Sequence, residues 1–287
     1  MGPRVQIVTI NHPNLEFSTI KTNMASSASV VPLKRRKVNA EDAFCDKFLK
    51  LEDDLCKNLS PLEFSSPITH VYNPLEYARE THEDYVKKYC KAGQKVLFLG
   101  MNPGPFGMAQ NGVPFGDTKH VIDWLKIKGS VKKPFKEHPK RLIHGLHCTR
   151  AEVSGSRLWG FFQEHCKTPE TFFANCFIHN YCPLVFMKSS GKNVTPPQLL
   201  RKERETLLEL CDKSLADVVK LMDVKIVVGV GKFAEERARK ALKDNNVEIY
   251  SIMHPSPASP AANSGWDKIA LTQLRDLDLM CYIKNEH

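Results

Sequence analysis

Three polar side chains follow apolar runs that predict buried strands. The side chains and the runs before them are Asn102 after residues 95–99, Asn180 after residues 176–179, and His254 after residues 247–252. Amide and imidazole groups bind ligands through hydrogen bonds. In an open α/β sheet, ligands bind outside the carboxyl ends of the strands, where the loops converge. The three side chains therefore indicate a single ligand-binding crevice.

The loop at residues 100–116 is rich in glycine and proline, which indicates an unusual backbone that can approach a ligand closely. Each feature taken alone has another explanation. The loop could be a tight connection without chemistry, Asn102 a turn residue, and His254 a hydrogen-bonded core histidine. The coincidence of three polar side chains at strand ends favours a functional site.

A sheet is needed to position these side chains, and the sequence predicts four strands alternating with helices. The remaining strand-like run is residues 225–230. Apolar residues recur at helical spacing over residues 207–222 and 233–241, and an earlier helix is predicted from about residue 42 to residue 59. This alternation predicts a three-layer α/β/α fold with a central, mostly parallel four-stranded sheet.

The chain of 287 residues is 42% hydrophobic, which is enough to bury the core of one domain. Residues 1–40 lack a sustained apolar period and are predicted to form a flexible basic tail before a folded domain at residues 41–287. Residues 32–38, PLKRRKV, predict a nuclear-import signal and hence a nuclear protein. The alternative is a solvated basic tail that adds nonspecific attraction to phosphate.

The balance of charge gives a net +9, from 41 basic and 32 acidic side chains, which is consistent with nucleic acid as a partner. Nine cysteines are spread over the chain without Cys-x-x-Cys spacing, so reduced thiols are expected. The longest strongly apolar run, residues 226–230, falls far short of the roughly 18 residues of a membrane helix. We expect a soluble, intracellular protein that does not associate with membranes.

Two segments carry a resemblance to a known family. Residues 100–108, GMNPGPFGM, and residues 254–257, HPSP, resemble the two signature motifs of the single-strand-selective monofunctional uracil-DNA glycosylases, within the uracil-DNA glycosylase superfamily. The resemblance runs from about residue 41 to the C-terminus. Further similar segments lie at residues 72–74, 154–162, 227–231 and 263–266.

The resemblance implies an enzyme that flips uracil out of a DNA strand and hydrolyses its bond to deoxyribose. By position in the motifs, Asn102 would hold the attacking water. His254 would donate a hydrogen bond to the uracil oxygen that gains charge as the base leaves. Asn180 would read the Watson–Crick edge of the base, and Phe115 would stack on the flipped ring.

The first motif also implies the substrate pocket, to which Met101, Gly104 and Met108 are assigned. In the uracil-only branch of the superfamily, a bulky aromatic residue matches Gly104 and crowds carbon 5 of the base. Gly104 has no side chain, so no aromatic ring crowds carbon 5 at this position. We therefore expect uracils with small polar 5-substituents, such as 5-hydroxymethyluracil, to be accepted.

The second motif leads into the loop that is expected to bind DNA, with contacts from Ser256, Pro257, Ala258, Ser259, Asn263 and Lys268. Members of the family have Arg at the position of Ala258, where the loop wedges into the duplex. The side chain of Ala258 is too short to act as this wedge. We therefore predict a bias toward single strands and U·G mispairs over U·A pairs, because extrusion of the base costs least when the base is mispaired or unpaired. Ser259, Asn263 and Lys268 are candidate replacements for the missing side chain.

Other interpretations explain less of the sequence. A noncatalytic nucleic-acid-binding module fits the charge but not the two motifs, and a mispair-specific thymine glycosylase is the nearer enzymatic alternative. Residues 229–234 resemble a dinucleotide fingerprint but come late in the chain, so close helix–sheet packing is preferred. His144, His147 and Cys148 lack a fourth zinc ligand at recognisable spacing. We expect a monomer without metal or cofactor, acting on single- and double-stranded DNA that contains uracil or modified uracil.

Overall fold

The four apolar runs form a parallel sheet in the computed structural model, which describes residues 4–6 and 40–285. The strands are β1 Val5–Gln6, β2 Glu63–Phe64, β3 Ile68–Tyr72, β4 Val96–Gly100, β5 Cys176–Asn180, β6 Val185–Lys188, β7 Asn193–Val194, β8 Ile226–Val230 and β9 Glu248–Ile252. The helices are α1 Ala40–Leu59, α2 Pro74–Tyr77, α3 Arg79–Tyr89, α4 Met108–Asn111, α5 Thr118–Asp123, α6 Val153–Cys166, α7 Pro169–Phe173, α8 Arg201–Met222, α9 Lys232–Ala241, α10 Pro260–Asn263, α11 Trp266–Asp276 and α12 Met280–Lys284.

The central sheet has the strand order β5-β4-β8-β9, and all of its neighbouring strands are parallel. Gly100 lies opposite Asn180 in the register of β4 and β5, and Val230 lies opposite Ile252 in that of β8 and β9. The carboxyl ends of the strands therefore form one edge. This confirms the predicted four-stranded α/β architecture.

Helices cover both faces of the sheet because side chains alternate between the faces along each buried strand. Phe177 of β5 packs against Phe48 of α1, with ring centroids 5.6 Å apart. Phe98 of β4 faces the other way, with its ring centroid 5.3 Å from that of Phe162 in α6. The apolar cluster around Phe162 explains why Leu158, Trp159, Phe161 and Phe162 are buried: they form the core side of α6.

A smaller antiparallel sheet, of order β3-β6-β7, was not predicted from the sequence. Its strands are short, and β7 has only two residues, so their apolar periodicity is weak. The N-terminal segment also contributes. Val5 pairs with Phe64 in the antiparallel ladder of β1 and β2, and Arg4 forms an ion pair with Glu63 at 3.4 Å.

The tail predicted for residues 1–40 is thus in contact with the domain at residues 4–6. The basic segment at residues 32–38 lies outside the described residues. All nine cysteines are free thiols, as expected, and Cys281 is the one that is partly exposed. Within residues 4–6 and 40–285, none of the helices combines the length and apolar character needed to cross a membrane.

Candidate active site

The loops at the carboxyl edge of the sheet enclose a cavity of about 700 Å³. The predicted site residues that line it are Met101, Asn102, Gly104, Met108, Phe115, Asn180, His254, Ser256 and Ser259. Four residues predicted to bind DNA, Pro257, Ala258, Asn263 and Lys268, are exposed beyond the cavity. Tertiary structure thus gathers side chains from three separate loops around one space.

The side chain of Asn102 is held by the neighbouring chain. Its Nδ2 donates to the carbonyl oxygen of Leu184 at 3.0 Å, and Cys182 N donates to Met101 O at 2.9 Å alongside. Because Nδ2 is engaged as a donor, Oδ1 is the acceptor end of the amide. A half-buried acceptor of fixed orientation is suited to hold one water molecule.

Asn180 ends β5 directly opposite Gly100, and the glycine makes room for it. A Cβ at Gly100 would lie 2.1 Å from Asn180 Oδ1 and 2.7 Å from Phe115 Cε2. The amide Nδ2 of Asn180 lies 3.1 Å from the sulfur of Met108. Gly100 therefore allows a polar amide and an aromatic ring to meet at the floor of the cavity.

Phe115 is held in a left-handed turn, with φ of 54°, by contacts from α6. Trp159 Nε1 donates to Pro114 O at 3.2 Å. A Cβ at Gly155 would lie 1.9 Å from Phe115 O, so only glycine lets α6 pack this close to the turn. The Phe115 ring lies 6.0 Å from the ring of His254 between centroids, on the same side of the cavity.

His254 is positioned through its neighbour Met253, whose main chain is bound from both sides by α11. Trp266 Nε1 donates to Met253 O at 2.7 Å, and Met253 N donates to Gln273 Oε1 at 2.8 Å. Gly231 packs against the histidine itself, because a Cβ there would lie 3.0 Å from His254 Cβ. The segment before the HPSP motif therefore has little freedom to shift.

Burial lowers the pKa of His254 to about 4. The imidazole is therefore neutral at physiological pH, with one nitrogen as donor and one as acceptor. A neutral N–H can donate a hydrogen bond to a developing anion without giving up its proton.

The glycines of the dinucleotide-like segment have packing roles. A Cβ at Gly229 would lie 2.4 Å from Glu235 N, so α9 packs directly on β8 at this glycine. Gly231 has φ of 96° and adjoins His254. The packing interpretation of the segment is confirmed.

Glu152 is a cavity residue that the sequence reasoning missed. It precedes α6 and lines the cavity beside Gly104. Burial and then the charge of Asp117 raise the pKa of the Glu152 carboxyl, while hydrogen bonding to the main chain of Phe106 and Ser154 lowers it, and the net shift is upward. A single acidic residue before a helix gives no periodic signal. The one indication of Glu152 in the sequence is that it lies just before residues 154–162, a segment that resembles the family.

Arg157 was also missed as a functional residue, although it lies inside that similar segment. Its Nη1 donates to Pro255 O at 3.1 Å, and its Nη2 donates to Asn263 Oδ1 at 2.8 Å. Asn263 Nδ2 in turn donates to Pro257 O at 2.9 Å. One end of the Asn263 amide is thus engaged by α6 and the other by the loop, and Arg157 braces the loop that carries the HPSP motif.

The two serines of this loop are used in local structure as well. Ser256 Oγ accepts a hydrogen bond from Ala258 N at 3.2 Å, and Ser259 Oγ caps α10 by accepting from Ala262 N at 3.3 Å. Lys268 is exposed on α11. The loop is therefore internally ordered, and the methyl group of Ala258 is exposed at its tip.

The sequence raised the alternative that His144, His147 and Cys148 bind a metal ion. Among the residues that the structure describes, no group of three or more His, Cys, Asp or Glu side chains is arranged to hold a metal ion. Cys148 Sγ lies 3.8 Å from Arg150 O, within its own turn.

Comparison with known proteins places this fold and cavity in a class. The model of the uracil DNA glycosylase superfamily matches residues 87–274. The crystal structure of wild-type SMUG2 from Pedobacter heparinus aligns with a TM-score of 0.60, covering 82% of this chain and 98% of that chain. At 22% identity this likeness bears on the fold alone. The chain belongs to the uracil-DNA glycosylase superfamily.

Curated relatives narrow the class to one family. The single-strand selective monofunctional uracil-DNA glycosylase of Rattus norvegicus is 50% identical over 246 residues, covering 85% of this chain and 88% of the rat protein. The Mus musculus relative of the same name is 48% identical over 267 residues, with coverages of 92% and 94%. That of Bos taurus is 50% identical over 241 residues, with coverages of 83% and 87%. The chain is a member of this family of monofunctional uracil-DNA glycosylases, which are DNA-repair hydrolases of N-glycosyl bonds.

Proposed function

We propose that the protein releases uracil and uracils with small polar 5-substituents, such as 5-hydroxymethyluracil, from single- and double-stranded DNA in the nucleus. The base is flipped into the cavity, its N-glycosidic bond is hydrolysed, and an abasic site remains in an intact strand. The observation that carries this proposal is the convergence of Asn102, Asn180, Phe115 and His254 on one cavity.

Asn102 and His254 divide the chemistry of bond cleavage. The glycosidic bond breaks toward an oxocarbenium-like sugar, so the barrier depends on stabilising the departing uracil anion. A preorganised donor in a dry pocket contributes about 3 kcal/mol to such a step, and the neutral imidazole of His254 supplies this donor. Water attacks a strongly electrophilic sugar carbon, so it needs placement by Asn102 Oδ1 more than it needs a base.

Asn180 and Phe115 select the base. The amide of Asn180 can donate to uracil O4 and accept from N3–H, whereas cytosine presents a donor and an unprotonated acceptor at those positions. The resulting mismatch leaves buried polar groups unpaired. Phe115 offers a ring face for stacking, and the left-handed turn held by α6 fixes that face.

The absence of a side chain at Gly104 supports the acceptance of 5-substituted uracils. Gly104 and Gly107 line the cavity, and this side of it is bounded by Glu152 instead of by an aromatic ring. The exposed Ala258 supports the proposed bias toward single strands and U·G mispairs, because a methyl group cannot fill the stack that the flipped base vacates.

The decisive assay uses single-stranded oligonucleotides that contain uracil or 5-hydroxymethyluracil, with excess chelator, followed by alkali to cleave at abasic sites. We expect release of both bases without added metal. Activity on unpaired uracil distinguishes this function from a mispair-specific thymine glycosylase. Binding without any base release would instead indicate a noncatalytic module.

A further inference from the structure

The space beside Gly104 is bounded by the carboxyl group of Glu152. A Cβ at Gly104 would lie 2.6 Å from Glu152 Oε2 and 3.0 Å from its Cδ. A Cβ at Gly107 would lie 2.8 Å from Glu152 Cγ. The two glycines of the first motif therefore leave room for this carboxyl group, which stands where a side chain at position 104 would project.

A carboxylate in this position is selective among ligands because it accepts hydrogen bonds but cannot donate them. Its removal from water is costly unless donors replace the lost water molecules. Main-chain hydrogen bonding at Phe106 and Ser154 meets part of this need. A carboxylate has about four lone-pair sites, so acceptor capacity remains for a donor inside the cavity.

We propose that Glu152 determines specificity at the 5-position of the flipped base: its carboxylate accepts a hydrogen bond from a donor on the 5-substituent. This inference rests on the proposed acceptance of 5-substituted uracils. It predicts that a hydroxymethyl group, which can donate, is favoured over a formyl group, whose oxygen can only accept.

The test measures kcat/KM on single-stranded oligonucleotides that carry uracil, 5-hydroxymethyluracil or 5-formyluracil. Each value is divided by the uracil value of the same variant, and Glu152→Gln is compared with the unchanged protein. Each base has the same leaving-group ability in both proteins, so this property cancels when the ratio of the variant is divided by the ratio of the unchanged protein. A hydrogen bond to a charged acceptor is worth about 1.5–3 kcal/mol and one to a neutral acceptor about 0.5–1.5 kcal/mol, so replacing the carboxylate by the neutral amide should lower the hydroxymethyl preference about 5- to 10-fold. The formyl preference should not fall.

The matched control is Glu209→Gln, the same chemical change on the exposed face of α8. It should leave all three ratios unchanged. If Glu152→Gln keeps the hydroxymethyl preference within two-fold, the inference is wrong. Failure of the unchanged protein to release 5-hydroxymethyluracil would instead refute the proposed substrate range.

A second test needs no variant and so does not depend on folding. Methylation of the hydroxyl gives 5-methoxymethyluracil, which has similar leaving-group ability but no donor. We expect release of this base to be slower than that of 5-hydroxymethyluracil by about 10-fold or more. An equal rate for the two bases would overturn the role of Glu152.

An independent observation concerns two arginines that lie against the ring of Phe106. The guanidinium of Arg150 lies 3.9 Å from the centroid of the Phe106 ring, and that of Arg141 lies 5.0 Å from it. Both distances are in the range of cation–π stacking. Phe106 itself lies within the first motif, between two residues that line the cavity.

The segment that carries Arg141 is fixed to the motif loop by Gln110. The amide Nε2 of Gln110 donates to Pro105 O and to Leu142 O, both at 3.1 Å. The position of the arginine relative to the cavity is therefore set by the fold.

Neither of these guanidinium charges is matched by a carboxylate in the described part of the chain. The arginines that form ion pairs there are Arg4, Arg79, Arg201, Arg237 and Arg239. Arg141 Nη1 donates to Lys140 O at 3.1 Å and its Nε is buried, so Arg141 offers a phosphate fewer donors than the exposed Arg150 does. A planar guanidinium stacked on an aromatic ring suits binding of phosphate. Arg150 is exposed and accessible to such a group.

We infer that Arg141 and Arg150, stacked on Phe106, bind a phosphodiester group of the DNA strand next to the flipped nucleotide. The double variant Arg141→Gln with Arg150→Gln should bind uracil-containing oligonucleotide about 10-fold more weakly. The slope of log affinity against log salt should become shallower by about 0.7–0.9 units, because contact with one phosphate is lost. Single-turnover rate at saturating DNA should change by only a few fold.

The control is Arg201→Gln, which removes an exposed arginine at the start of α8 that is already paired with Glu205. It should affect neither affinity nor the salt slope. An unchanged salt slope in the double variant would refute the phosphate contact. If the double variant unfolds, the single variant at the exposed Arg150 decides, with about half of the change in slope expected.

Discussion

Asn102 and His254 are neutral side chains, and the reaction proposed for them needs a placed water and a hydrogen-bond donor more than a strong acid or base. The amide of Asn102 is oriented by Leu184 O at 3.0 Å. Burial lowers the pKa of His254 to about 4 and so keeps the imidazole uncharged. Position and desolvation, rather than formal charge, give these residues their proposed roles.

Asn102→Ala should separate catalysis from DNA binding. Misplacement of a reacting group costs roughly 100-fold, so single-turnover excision should fall by about that factor. Affinity for uracil-containing DNA should stay within a few fold, because Asn102 is proposed to hold water. Asn245→Ala, which removes an exposed amide, serves as the control. Near-normal excision by Asn102→Ala would exclude the water-holding role.

The pH profile of kcat/KM should show no inflection that is due to His254 near pH 6.5, which is the ordinary pKa of a histidine side chain. This parameter reports ionisations of the free enzyme, in which the pKa of His254 is lowered to about 4. Activity that depends on the neutral imidazole should therefore persist on acidification until the pH approaches that value. A loss of activity centred near 6.5 that disappears in His254→Gln would contradict this expectation.

The same shift makes a prediction for stability. The unfolded chain binds a proton at His254 below about pH 6.5, whereas the folded protein does so only near pH 4. Folding therefore loses stability as the pH falls between these values. Thermal unfolding of the unchanged protein should be more sensitive to pH in this window than that of His254→Gln.

Helix α6 connects the two motifs because it contacts both. Through Gly155 and Trp159 it holds the Phe115 turn, and through Arg157 it holds the HPSP loop. Its register thus fixes the distance between the Phe115 ring and the loop proposed to bind DNA.

Arg157→Gln should loosen the HPSP loop without altering the cavity floor. We expect excision from a U·A duplex to fall by about 10-fold, and excision from a single strand by only a few fold, because the loop is proposed to act in opening the duplex. The measurement is kcat/KM on matched substrates, with Arg201→Gln as the control. Equal losses on both substrates would show that the brace acts on catalysis itself.

A buried ion pair joins α1 to α3 behind the site. His82 Nε2 donates to Glu52 Oε2 at 2.6 Å, and His82 Nδ1 donates to Gly112 O at 2.8 Å, just before the Phe115 turn. Burial opposes both charges. The mutual interaction outweighs it, so the pKa of Glu52 is lowered and that of His82 is raised.

Glu52→Leu should destabilise the protein by about 3–5 kcal/mol, since it leaves His82 buried without the carboxylate that balances its charge. The double variant with His82→Leu should recover part of this loss. Chemical denaturation measures both. Asp54→Asn, which breaks the exposed pair of Asp54 with Lys50, is the control and should cost less than about 1 kcal/mol. Equal losses in the single and double variants would show that the pair is not coupled.

The whole molecule combines a catalytic domain with a basic segment at residues 32–38. If this segment directs nuclear import, alanine substitution of its four consecutive basic residues should redistribute the protein out of the nucleus while excision in dilute salt is retained. Microscopy of a fluorescent fusion measures the distribution. The control variant replaces four exposed lysines of the domain with alanine, which removes the same total charge. These lysines are Lys202, Lys213, Lys220 and Lys243. Unchanged nuclear accumulation of the tail variant would refute the signal.

The sequence by itself determined the central sheet, because buried parallel strands are continuous apolar runs that need no knowledge of their neighbours. It also determined the family through two contiguous motifs, and it indicated Asn102, Asn180 and His254 from their places at strand ends. These are local signals, readable within a few residues.

Only the tertiary structure decided which distant residues share the site. Glu152 meets Gly104 and Arg157 meets Asn263 across long stretches of chain, and neither pair has a spacing that periodicity can reveal. The same holds for the pairing of residues 5–6 with residues 63–64 and for the small antiparallel sheet. The pKa of His254 likewise depends on burial, which is a property of everything packed around it and not of its own sequence neighbourhood.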